Sequence, residues 1–193
     1  VRIGSNFKIS AEALKFNVDV TDPNYNFSGN ALSYNIGSST NDLTKDSGYK
    51  SSLLGVGIGT AFEQYKNVRA SLGLSASYDD LRTNSSASDS MKKQSGTFNE
   101  LAANYGFTFD ERDRSFMPTS GSILSFGQTI PLYADKSFVA NYLQSSSYKT
   151  INENIIGAGK VFISTVNAIG SDDVRISKRK GLSSRRLRGF KKN

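Results

Sequence analysis

Apolar and polar side chains alternate with a period of two along most of this chain, in runs too long for an ordinary soluble sheet. Phe16, Val18 and Val20 alternate with Asn17, Asp19 and Thr21, and Leu32, Tyr34 and Ile36 with Ser33, Asn35 and Gly37. Leu54, Val56, Ile58 and Phe62 share one face, with Gly55, Gly57, Gly59 and Ala61 on the other. Val68 to Tyr78 and Leu101 to Phe109 repeat the pattern, and weaker versions run through 122–130, 137–149 and 155–166. Alternation of this kind describes strands with one face in an apolar medium and one in a polar medium. With a partial strand at 3–10, nine strands are expected. Several extend over about 9 to 13 residues, the length a tilted strand needs to cross a bilayer, where soluble strands average ~5 to 6.

Composition narrows the class. Only 37% of the residues are hydrophobic, yet there are 12 Phe, nine Tyr and 17 Gly. A water-soluble globule of this length would carry more aliphatic residues gathered into core stripes, and a disordered chain would carry fewer aromatics. In a membrane barrel, lipid-facing and lumen-facing residues alternate, so mean hydropathy stays low. No run approaches the ~18 to 20 apolar residues of a spanning helix. The chain has no cysteine and no histidine, which removes thiol chemistry, a Ser-His-Asp triad and the usual His/Cys zinc sites. No enzyme activity, cofactor or metal site is expected. The start at Val1 and the end at Asn193 within a charged stretch suggest a piece of a longer protein.

Connections and charge fit the same picture. Residues 22–27 and 63–67 form compact turns, whereas 39–47 and 78–97 are longer, polar and without apolar anchors. Further connections fall at 111–120, 132–136 and 152–154. Long outer loops alternating with short periplasmic turns characterise outer-membrane barrels, which makes 78–97 a long extracellular loop. Tyr25, Phe27, Tyr65, Phe116, Tyr133 and Phe138 lie near strand ends, where a barrel carries its aromatic girdles, although aromatics flank strands in other β proteins too. The formal charge of +7 is local, because Arg175 to Lys192 holds nine Lys or Arg and no acid.

Three motifs carry a family resemblance. Asp110, Arg112, Asp113, Pro118 and Gly121 form an Asp-x-Arg-Asp-(x)4-Pro-x-x-Gly turn. Pro118 presets φ, Gly121 accepts positive φ, and the alternating Asp and Arg side chains can satisfy one another. An ordinary charged β-turn would show parts of the same pattern. Leu187, Arg188, Gly189 and Phe190 lie in the basic stretch after the ninth strand, and Thr21-Asp22-Pro23-Asn24-Tyr25 ends an early strand. In this order the three resemble the BamA superfamily, also called the bacterial surface antigen family. The resemblance spans nearly the whole chain. It implies an all-β, antiparallel up-and-down transmembrane barrel of sixteen strands, of which these nine look like the third to the eleventh. It also implies that 169–193 begins a long loop folding into the lumen, with Arg188 ion-paired to acidic residues of the inner wall. Gly189 would approach the wall closely and Phe190 would wedge against it. The family's Gly-Gly pair before the tip is replaced here by Gly181-Leu182-Ser183-Ser184, a departure in local loop geometry.

Competing signals are weaker. Gly55-Val56-Gly57-Ile58-Gly59 echoes a nucleotide-binding glycine run but lies within an alternating strand and opens no helix. Glu111 with Asp113 reads as a salt-bridged turn ahead of an acid–base pair. The basic stretch lacks aromatic interleaving before Phe190 and a nucleic-acid-binding fold around it, so no nucleic acid is expected. The resemblance implies a bacterial outer-membrane factor that folds and inserts other β-barrel proteins. Its partners would be unfolded outer-membrane proteins, accessory assembly lipoproteins, and outer-membrane lipid and lipopolysaccharide. A secretion or translocation pore of the same superfamily is the alternative, and a diffusion porin a weaker one.

Overall fold

The computed structural model describes residues 1–10, 12–170 and 173–179. Nine antiparallel strands form one sheet in sequence order. They are β1 (Arg2–Ile9), β2 (Ala13–Asp22), β3 (Ala31–Leu43), β4 (Tyr49–Tyr65) and β5 (Val68–Thr83), then β6 (Gly96–Asp110), β7 (Gly121–Ala134), β8 (Phe138–Asn152) and β9 (Ile155–Ala168). A one-turn helix, α1 (Asp89–Lys92), stands between β5 and β6. Each strand pairs with the next, and β1 and β9 form the two ends of the arc. The nine-strand, all-β antiparallel barrel wall expected from the alternation is the fold observed.

Register turns the alternation of each strand into continuous rows. Val20, Tyr34, Ile58, Leu74, Ala103 and Ile130 stand opposite one another across β2 to β7. The neighbouring row on the other face holds Asp19, Asn35, Gly57, Ser75 and Ala102. A slip of one residue would exchange the two faces, so the pattern pins the register.

No hydrophobic core lies behind the apolar face among the described residues. Among the described residues the buried hydrophobics are Ala70, Leu81, Ala87, Ala102 and Phe138, while Ile36, Leu54, Val56, Leu72, Leu74, Phe107 and Ile163 are exposed. In water such a face would be an aggregation surface. Against hydrocarbon it is solvated, and the ladders satisfy the backbone within the wall. The opposite, polar face is the lumen side. There Gly57 leaves room for Asn35, and Gly127 for the ring of Tyr142, both of which a Cβ would strike. The glycine run at 55–59 is therefore the lumen side of β4, with no helix after it.

One polar row crosses the apolar face. Tyr105 Oη donates to Gln128 (2.6 Å), the Gln128 amide donates to Asn141, and Asn141 Nδ2 donates to Thr165 (3.3 Å). Lateral pairing gives these groups partners along the wall where they face hydrocarbon.

The connections differ from the sequence expectation in length. Ser39 to Leu43 continue β3, so 39–47 contracts to 44–48; β5 runs on to Thr83 and β6 starts at Gly96, so 78–97 contracts to 84–95. The ladder continues through Thr40↔Ser52 and Asp80↔Thr97. Backbone bonding persists where both faces have become polar and side-chain alternation vanishes. One rim carries the connections 23–30, 66–67, 111–120 and 153–154, and the opposite rim 10–12, 44–48, 84–95 and 135–137. Each rim mixes short and long connections, so strict alternation of lengths does not hold. Tyr25, Phe27, Tyr65 and Phe116 are exposed at the first rim and Tyr133 near the second. Phe138 departs from the girdle expectation: it is only 6% exposed, because its parity in β8 turns it to the lumen side.

Candidate functional site

Two charged clusters stand out, one at each rim. The first is the turn joining β6 to β7. Arg112 grips Asp110 with both arms, Nε to Oδ1 at 2.8 Å and Nη2 to Oδ2 at 2.7 Å, and donates from Nη1 to the Ser115 carbonyl at 3.3 Å. The two residues are neighbours on the strand exit, so the fork costs little loop entropy. Asp113 organises the other half, accepting from the backbone N–H of Thr119 (3.0 Å) and Ser120 (3.2 Å) and from the Thr119 hydroxyl (2.7 Å). Those bonds, the Thr119 hydroxyl foremost, pull the Asp113 carboxyl down to about 2, against a smaller opposing effect of burial. Arg114 adds a looser contact to Asp113 at 3.7 Å.

Pro118 lies within this loop, and Gly121 opens β7 with φ +91°. A Cβ at Gly121 would strike the Glu111 carbonyl and sit 2.9 Å from the Arg112 Cα, so the return strand needs glycine there. The structure thus brings Asp110, Arg112, Asp113 and Gly121 together in one compact turn. At the same rim, Asp22 accepts from Asn24 N–H (3.1 Å) and Asn24 from Gly29 N–H (2.7 Å), closing the connection after Thr21-Asp22-Pro23.

The second cluster lies on the lumen side near the other rim. After β9 the chain turns back, and 173–179 rests on the inner face of β5 and β6. Arg175 Nη2 stands 3.2 Å from Asp79 Oδ2, with side chains only 4% and 2% exposed. Its guanidinium lies 3.3 Å over the ring of Phe98, an arrangement that combines charge attraction and stacking. Ser177 donates its hydroxyl to Asp79, and Ser51 reaches the same carboxylate from β4 at 3.4 Å. Lys178 pairs with Glu100 at 3.2 Å, donates to Ser77 at 3.3 Å, and lies 5.3 Å over the ring of Phe138. Ile176 N–H donates to Gln94 Oε1 of the 84–95 connection at 2.9 Å. Burial pulls the Arg175 guanidinium below its usual range, and Asp79, Asp135 and Glu100 pull it back up.

The tip residues Leu187, Arg188, Gly189 and Phe190 lie outside the described residues. In the described part, Arg175 and Lys178, at the root of the same basic stretch, pair with acidic residues of the inner wall. Asp79 and Gln94 escaped the sequence reading because they fall inside 78–97, expected as loop, and Phe98 and Glu100 because they precede the alternating run that begins at Leu101. Parity was the available signal: Ser75, Ser77 and Asp79 continue one face of β5, and Phe98, Glu100 and Ala102 one face of β6.

The Omp85 superfamily domain matches residues 2–193. No curated protein sequence matches the chain. Among solved structures, the fold is similar to that of BamA from Haemophilus ducreyi, crystallised without POTRA domains 1–3, with a TM-score of 0.77 at 20% identity. That alignment covers 91% of this chain and 37% of the BamA chain, so the present chain spans well under half of that relative.

Proposed function

As the chain belongs to the Omp85 superfamily, whose members insert or translocate proteins at the bacterial outer membrane, we propose that it is barrel wall of an assembly factor for outer-membrane β-barrel proteins. The role is non-enzymatic and uses no cofactor. Unfolded outer-membrane proteins are the substrates, and insertion is templated strand by strand, because exposed strand edges recruit incoming strands through backbone hydrogen bonds. Accessory assembly lipoproteins and outer-membrane lipid with lipopolysaccharide complete the set of partners. The rim bearing 84–95 faces outward, and the Asp110–Gly121 turn faces the periplasm.

The observation that supports this reading over a diffusion porin is the basic segment docked on acidic residues of the lumen side. A porin needs a clear, water-filled passage, whereas Arg175 and Lys178 commit the start of a long basic loop to the interior. Arg188 would extend that attachment deeper.

The test is complementation of a strain depleted of the full-length protein. Assembly activity predicts that many outer-membrane proteins fall together on depletion. Loss of one exported protein, with the rest unchanged, would indicate a secretion pore instead. Arg188→Ala is expected to impair assembly more than Lys191→Ala, and equal, near-normal protein levels in both would count against a lumen role for the tip.

A further inference from the structure

Asp79 belongs to no motif, yet it is among the most enclosed side chains of the described residues, 2% exposed. Three side chains from two elements meet on its carboxylate: Ser51 of β4, and Arg175 and Ser177 of the segment after β9. A carboxylate withdrawn from water is strongly disfavoured without a countercharge, and Arg175 supplies it.

The dependence runs in one direction. Asp79 is fixed by the sheet, paired to Leu53 on one side and Phe98 on the other. Arg175 sits in a short segment outside every ladder, whose own backbone bonds are local, Lys178 N–H and Arg179 N–H to the Arg175 carbonyl at 3.0 and 3.1 Å. Arg175 Nε and Nη2 make no aligned hydrogen bond among the described residues. Its position is therefore set by the charge of Asp79 and the face of Phe98, rather than by saturated hydrogen bonding. The Gln94–Ile176 bond couples this segment to the 84–95 connection.

We propose that Asp79 is the positioning residue of the basic loop. Acting through Arg175, it fixes where the loop leaves β9 and enters the lumen, and it holds the 84–95 connection in the same closed arrangement. The inference depends on the wall and the docked segment, and holds whether the barrel assembles or exports its substrate.

The experiment uses the full-length protein in the outer membrane, with Val174→Cys as the sole thiol and a membrane-impermeant maleimide applied to intact cells. Heat-modifiable migration confirms folding of each variant. Asp79→Asn should raise the labelling rate at position 174 at least about ten-fold, since a tenfold shift needs only a modest part of a buried charge interaction. The exchange Asp79→Arg with Arg175→Asp should bring the rate back close to that of the parent, which a merely space-filling role would not do. Ser177→Ala, which removes one donor from the carboxylate, should give a smaller rise. Unchanged labelling in folded Asp79→Asn overturns the proposal, as does an exchange variant that labels as fast as the single one. If Asp79→Asn does not fold, Ser177→Ala decides: a rise supports the proposal and an unchanged rate overturns it.

Discussion

The two rims of this wall both rest on Asp–Arg pairs, and the pairs differ in almost everything else. Asp110 and Arg112 are two residues apart, partly in water, and held by the turn that contains them. Asp79 and Arg175 are joined across nearly half the chain, and both are sealed from solvent. A pair of neighbours partly open to water adds little because water still reaches the carboxylate. A buried pair adds little relative to an apolar pair, but leaves a stranded charge when one member is lost. The same chemistry thus shapes a turn at one rim and governs attachment of a loop at the other.

Breaking the long-range pair should have the largest effect. Arg175→Ala leaves Asp79 buried without its countercharge and should destabilise the folded barrel by about 3–5 kcal/mol, read from the urea midpoint of the full-length protein in detergent. Replacing both residues together, Asp79→Leu with Arg175→Met, should recover most of that loss. A double variant as unstable as the single one would show that the pair does more than neutralise itself.

Gly121→Ala comes next, at about 1–3 kcal/mol, because positive φ and the Glu111 carbonyl leave no place for a methyl group. The effect should appear as a lowered unfolding temperature with the Asp110–Arg112 fork intact. Lys178→Ala should cost less than Arg175→Ala, about 1–3 kcal/mol, since the Lys178 and Glu100 side chains are 19% and 13% exposed and water can enter. A loss equal to that of Arg175→Ala would erase the distinction drawn from burial.

The local cluster should respond to acid. Asp113 has a folded value of about 2, below its ordinary 3.8. Its stabilisation is therefore present above pH 3.8 and lost as pH falls towards about 2. The difference in unfolding temperature between the parent and Asp113→Asn should close over that window, and a gap constant down to pH 2 would contradict the hydrogen-bond assignment. Arg112→Ala should have the smallest effect, diminishing further as salt is added.

The contrast also explains what the sequence disclosed. Alternation gave the strands and their faces, since a two-residue period is a local property and hydrocarbon on one side enforces it. The Asp110–Gly121 turn was legible for the same reason: donor, acceptor and glycine all lie within twelve consecutive residues. The ends of β3, β5 and β6 were not, because beyond the apolar belt both faces are polar and only the backbone ladder continues. That truncation hid Asp79 in an apparent loop and left Phe98 short of the alternating run that begins at Leu101. The Arg175 contact was hidden for another reason, since pairing across nearly a hundred residues leaves no spacing to read. Phe138 was misplaced because position near a strand end says nothing about which face it occupies.

The basic segment lies against the inner face of the wall, and thiol cross-linking tests this most directly. In the full-length protein, Ser77→Cys with Lys178→Cys replaces side chains now in hydrogen-bond contact through the lysine tip, so a short bifunctional thiol reagent of about lysine-stem length is used to span them, and Ser77→Cys with Glu100→Cys joins direct cross-strand partners as a control. Both pairs should cross-link with the reagent in cells, changing migration on a non-reducing gel or after proteolytic cleavage between the two sites. Cross-linking of the control alone would leave the sheet in place and contradict the docked segment.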